Sequence, residues 1–151
     1  MFHYFKTKED LINSLYLHVK DEMAESIKEA ITSNMPLKEK MHAIWRNVIY
    51  WCVENPRKIK FIEYFSTSPL IEKLTLDESK MNLHPFFVLI QKGIDEGIIR
   101  ELEHEIIIGT IMANLKSTVF YIFKHDGQLH KDCIIDKIFD VMWNGIGVKS
   151  E

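Results

Sequence analysis

Apolar side chains recur at steps of three and four along almost the whole chain, and glycine and proline are too scarce to interrupt them often. That period puts the apolar residues on one side of a helix, so the pattern predicts an all-α, multi-helix bundle. The first helix opens at Thr7, whose hydroxyl can cap while Asp10 answers three residues later. It carries Leu11, Leu15, Val19, Met23, Ile27 and Ile31 on one ladder and ends near Ser33-Asn34. Pro36 and Asn55-Pro56 fence a second helix whose inner stripe is Met41, Ile44, Trp45, Val48, Ile49 and Cys52, widened by Tyr50 and Trp51. A short third helix, from Arg57 to about Phe65, crowds Phe61, Ile62, Tyr64 and Phe65 together before Ser66-Thr67-Ser68-Pro69 breaks it. After a mixed, polar stretch from Leu70 to Leu83, a fourth runs from about Pro85 through Phe86, Phe87, Leu89, Ile90 and Ile94. Gly97 punctuates its C-terminus, and Gly93 marks a close helix contact.

The last two predicted helices, about Glu103 to Lys124 and Lys131 to Trp143, differ from the others. Isoleucines, valines and phenylalanines surround much of each axis, and a helix that is apolar on two sides must be covered on two sides. In a small domain one face meets the core and the other most simply meets a second subunit. The expectation is a homodimer with a four-helix interface around Ile108, Met112, Ile135, Phe139 and Met142, with either apolar side open to the partner.

Composition narrows the function classes. The chain has 151 residues, 46% of them apolar, enough to build one core without disulfides or metals. Its net charge of -3 advertises no nucleic-acid surface, so any DNA contact must come from a local patch. Cys52 and Cys133 stand far apart without CxxC spacing, as free thiols of a reducing cytoplasm do. The longest apolar runs stop short of a membrane span, which predicts a cytoplasmic protein with no membrane partner. None of the seven histidines falls in an HExxH or paired Cys/His pattern, and His18 with Asp21 and Glu22 reads as an exposed helix face. With no nucleophile elbow, P-loop or GxGxxG either, the chain predicts no catalytic residues, no metal and no cofactor: not an enzyme.

The opening Phe2-His3-Tyr4-Phe5-Lys6-Thr7-Lys8-Glu9-Asp10-Leu11 resembles the junction between the recognition helix and the first core helix in TetR-family regulators, where a "YxYF" segment leads into "KxKxxL". Asn55-Pro56 with the aromatic helix after it resembles that family's middle section. Gly93-Ile94-Asp95-Glu96-Gly97-Ile98-Ile99-Arg100 resembles its "GxxxGxIR" turn before the dimerisation helices. The resemblance implies that residues 1–6 are the remnant of a DNA-recognition helix, the rest of whose helix-turn-helix head is missing from the sequence. Residues 7–151 are then an effector-binding and dimerisation domain. His3, Tyr4, Lys6 and Lys8 fall where the family touches DNA phosphates, contacts that position a reader without specifying sequence. In isolation the same residues read as a solvated terminus, and operator DNA is expected as a partner of the full-length form only.

The aromatic residues of the middle helices read two ways. Any one of them can be ordinary core. As a group they are richer than a bundle of this size needs, and aromatics gathered from neighbouring helices also line apolar cavities. The cavity reading takes Trp45, Ile49, Phe61, Phe65, Phe87 and Ile90 as walls around a small apolar or aromatic effector, with Asn114, Thr118 and Tyr121 as polar anchors. In the helix order the resemblance implies, the second, fourth and fifth helices surround the first, and their stripes converge on one volume. A cross-helix hydrogen bond is the other account of the three polar residues. Because no lysine or arginine lies on that lining, neutral or cationic effectors are expected over acidic ones. The chain is therefore expected to act as a ligand-responsive transcriptional repressor. Its rivals are a helical carrier or scavenger of hydrophobic compounds with no DNA role, and a bundle-type metal enzyme.

Overall fold

The computed structural model describes residues 5–72, 75, 84–125 and 131–149, and six α-helices account for most of them. They are α1 (Lys8–Thr32), α2 (Leu37–Glu54), α3 (Pro56–Phe65), α4 (His84–Asp95), α5 (His104–Lys124) and α6 (Lys131–Ile146). The predicted ends hold where local chemistry fixes them. The Thr7 hydroxyl accepts the Asp10 amide at 3.0 Å, Pro36 caps α2, and Pro56 occupies the first turn of α3. Gly97 follows α4 with φ of 72°, a left-handed conformation that glycine adopts without Cβ strain.

The hub of the bundle is α2, which packs against α1, α3, α5 and α6. All six residues of its predicted stripe are buried. On the α6 side the packing is solid: Ile49, Ile135 and Phe139 are buried, and the Trp45 indole N–H donates to the Ile135 carbonyl at 2.9 Å. Phe139 lies between the His42 ring at 4.5 Å and the Trp143 ring at 6.0 Å. Beside that core, a polar stripe at one-turn spacing on α2 meets α6. His42 Nε2 and Asp136 lie 2.8 Å apart, Arg46 also reaches Asp136, and the Tyr50 hydroxyl donates to Asp132.

Gly93 is a close contact, as the sequence suggested: a Cβ there would stand 2.6 Å from the ends of both Ile99 and Leu37. The turn after it is tied to the tail of α6, where the Arg100 amide donates to the Ile146 carbonyl and the Val148 amide to the Ile98 carbonyl, each at 2.8 Å.

Three expectations are corrected. In the N-terminal half of α1 the buried face is Ile12, Asn13, Tyr16 and Val19, with Leu11 and Leu15 exposed. That face meets a small satellite core of Phe61, Ile62, Phe65, Leu70 and Ile71. Asn13 fixes it there: its amide donates to the Glu9 and Leu70 carbonyls and its carbonyl accepts the Glu72 amide, so the segment after α3 is bound to α1. Secondly, Ile135, Phe139 and Met142, expected at a subunit contact, are at most 2% exposed within a single chain. They point into the bundle, so a second copy cannot reach them. Thirdly, α5 is long and apolar enough, by length and composition, to cross a membrane, with only 28% of that stretch buried. Its buried residues Ile107, Ile111, Val119 and Ile122 nonetheless belong to the same core as α2.

Candidate functional site

On the side of α2 away from that solid packing, α1, α4 and α5 leave a partly open cavity of about 320 Å³. From α1 come Lys20, Met23 and Ile27. Met41, Ile44, Trp45, Val48 and Cys52 form the α2 wall, and α3 supplies Ile59, Ile62 and Glu63. Phe86 and Phe87 come from α4, and Ile108, Ile111, Met112, Ala113, Leu115, Val119 and Phe120 from α5, with Lys116 and Met142 completing it. The lining is overwhelmingly apolar and the volume lies in the range of small-molecule sites. Met23, Met41 and Met112 add unbranched, adaptable side chains to the wall.

The convergence of the first, second, fourth and fifth helices on one volume is as expected, with α2 rather than α1 at the centre. Of the nine residues named for the cavity, only Trp45 and Phe87 line it. Ile49 and Ile90 are wholly buried in the solid core. Phe61 and Phe65 pack on one another, 4.9 Å apart, in the satellite core against α1. Among the described residues the three polar residues bond within their own helix or its end and make no cross-helix bond. The Thr118 hydroxyl donates to the Asn114 carbonyl at 2.7 Å, the Asn114 amide donates to the Thr110 carbonyl at 2.8 Å, and the exposed Tyr121 ring stacks on His125. Ile108 and Met112, named for a subunit contact, line the cavity, and Met112 is also 45% exposed. Lys6 and Lys8 are exposed at the start of α1, while His3 and Tyr4 lie outside the described residues.

The premise that disfavoured acidic occupants is overturned as well, because two lysines are in the wall. Lys116 pairs with Glu63 across α5 and α3. Lys20 is half-buried, its ammonium 5.8 Å from the centre of the Tyr16 ring, and burial holds its pKa below the usual lysine value. The neighbouring Cys52 thiol is pushed up to about 12 by burial, so at neutral pH it is protonated and a poor nucleophile. The signal for Lys20 was present in the sequence: Tyr16, Lys20, Met23 and Ile27 follow one helical ladder, with a lysine where an apolar residue would continue it. Among the described residues, no group of three His, Cys, Asp or Glu side chains comes together to hold a metal.

Residues 16–148 match the family described as tetracyclin repressor-like, C-terminal domain. The chain is similar in structure to a tetR family transcription regulator from Shewanella sp. PV-4, at 27% identity and a TM-score of 0.85, over 98% of this chain and 79% of that one. A TetR family transcription regulator from Marinobacter aquaeolei VT8 has the same fold, with a TM-score of 0.87 at 15% identity over 97% of this chain and 76% of that one. So does the fatty acid degradation regulator FadR from Bacillus halodurans, with a TM-score of 0.70 at 16% identity over 94% and 78% respectively.

Proposed function

The chain belongs to the tetracyclin repressor-like C-terminal domain family, and from that premise we propose that it is the sensing and dimerising part of a ligand-responsive transcriptional repressor. The observation that carries this reading is the apolar cavity between α1, α2, α4 and α5, which would take a small hydrophobic effector.

The route from cavity to DNA runs along α1. This helix has 25 residues, a length of about 37 Å at 1.5 Å per residue. Lys20, Met23 and Ile27 wall the cavity, while Lys6 and Lys8 stand at the other end, where the resemblance places the remnant of the recognition helix and its phosphate contacts. An effector that fits one setting of α1 better than another shifts the population between them and, in a dimer, the separation of the two DNA-reading heads. Residues 7–151 then form the effector and dimer domain, and operator DNA is a partner of the protein that carries the head.

For the dimer we propose the outward face of the last two helices in place of the buried residues first expected there. On α5 that face carries Ile106, Thr110, Ser117 and Tyr121; on α6 it carries Ile134, Ile138 and Val141. Ile106, Tyr121 and Val141 are 51%, 47% and 61% exposed in the single chain, a poor arrangement for apolar side chains unless something covers them.

The test is a thermal-shift and fluorescence screen of this chain against hydrophobic compounds, both neutral and carboxylate-bearing, followed by operator-release assays with the head-bearing protein. Trp45 in the wall reports occupancy. The reading expects saturable stabilisation by at least one compound and release of operator by the same compound. Stabilisation without release would make the chain a carrier, and no stabilisation by any compound would remove the sensor reading.

A further inference from the structure

The cavity is apolar, yet its charges do not cancel. Glu63 and Lys116 neutralise each other, which leaves Lys20 as the one lining cation without a counter-charge among the described residues. Other basic groups near that end of α1 are engaged: Lys58 and His18 both pair with Glu22. What faces the Lys20 ammonium is the Tyr16 ring and the Cys52 thiol. The ring offers its π face and the protonated thiol offers no charge, so among the described residues the ammonium's donors meet no anion. A half-buried ammonium in an apolar wall is costly, and stays so until an anion arrives to pair with it.

We infer that the occupant of the cavity is an amphipathic monocarboxylate, its apolar body against the methionine and isoleucine walls and its carboxylate on Lys20. This rests on the reading of the cavity as the effector site and names the effector's class. A single cation balances a single negative charge. A phosphate dianion would leave net negative charge in an apolar cavity, and a neutral compound would leave Lys20 as it is. The unbranched Met23 and Met41 side chains suit a flexible alkyl chain, which needs walls that adjust.

Decanoate, decan-1-ol and methyl decanoate are titrated calorimetrically into the intact chain and into Lys20→Met and Lys20→Arg at pH 7.5. The wild-type chain is expected to bind decanoate about tenfold or more tighter than either neutral analogue, the worth of one charge-assisted hydrogen bond. Lys20→Met keeps the length and apolar stem, so it is expected to bind the alcohol as the wild type does and to lose the preference for the carboxylate. Lys20→Arg keeps the charge and is expected to retain the preference, a result that does not depend on how Lys20→Met folds. Equal binding of all three compounds to the wild type, or a carboxylate preference that survives in Lys20→Met, overturns this inference and leaves the sensor reading standing. Failure of all three to bind the wild type overturns this inference, while the sensor reading falls only if the wider compound screen also finds no binder.

Discussion

The two sides of α2 are built from the same kinds of residue and do opposite things. Toward α6, Ile49, Ile135 and Phe139 close completely and the Trp45 indole is bonded to a carbonyl across the interface. Toward α1, α4 and α5, side chains no less apolar leave about 320 Å³ empty. Burial is common to both, since Met41, Ile44 and Val48 are nearly as inaccessible as the residues of the solid side. The difference lies in how the partner helices lie. On the solid side α6 lies along α5 and against α2, whereas on the hollow side α4 meets α1 and α5 over short stretches only. Low exposure alone cannot tell a packed core from the wall of a partly open cavity. The response to substitution can.

The largest contrast is expected at Phe139. Phe139→Ala removes a ring packed between His42 and Trp143 on the solid side and should cost about 3–5 kcal/mol in denaturant unfolding. Phe139→Asp should unfold the subunit. Val141→Asp, two residues on but outward, should leave a folded monomer. A folded, dimeric Phe139→Asp protein in the ultracentrifuge would show that the solid side is not what holds the chain together.

Gly93→Ala comes next, at about 1–3 kcal/mol. The new methyl must displace the ends of Ile99 and Leu37, where the turn after α4 is bonded to the tail of α6, so little can move away. A melting temperature equal to that of the wild type would mean the turn is looser than its hydrogen bonds imply.

On the hollow side the effects on stability should be smaller and those on binding larger. Ile108 is half-buried in the chamber wall, so Ile108→Ala enlarges an existing void and should cost about 1–2 kcal/mol, below the range for filled cores. Ile108→Trp should fill part of the void, change stability by about 1 kcal/mol or less, and abolish decan-1-ol binding in calorimetry. A loss of several kcal/mol from either substitution would mark this region as packed core.

These contrasts also show what was legible in the sequence. Helix ends were, because Thr7, Pro36, Pro56 and Gly97 act within a turn of their own position. The inner stripe of α2 was, because a helix packed by four neighbours buries the apolar stripe that faces them. The contents of the chamber were not. Phe61 and Phe65 looked like wall residues, but Asn13, through bonds to Leu70 and Glu72, draws the segment after α3 onto the N-terminal half of α1 and takes those rings with it. That contact spans 57 residues and has no periodic trace. Asn114 and Thr118 looked like anchors because a polar residue in an apolar helix asks for a partner, and each found one a turn back in its own backbone.

The smallest effect separates two buried groups that titrate in opposite senses at the chamber wall. Burial raises the Cys52 thiol from 9.0 to about 12, so between those values the unfolded chain releases a proton that the folded chain keeps. The folded state then holds more protons, and its stability falls as pH rises through that window, by about 1 kcal/mol at pH 10. Lys20 works the other way. Its folded pKa lies below 10.5, the unfolded chain holds the extra proton, and stability rises with pH between the folded value and 10.5. In urea unfolding between pH 8 and 10, Cys52→Ala should therefore show a shallower alkaline decline than the wild type, the remainder coming from Tyr16 and Tyr50, whose raised pKa values act in the same sense, and adding Lys20→Met should remove the opposing rise. The constant offset from the lost sulfur does not enter, since only the slopes are compared. Identical slopes for the wild type and Cys52→Ala would mean that the thiol is open to water, and that the chamber beside it is not closed on that side.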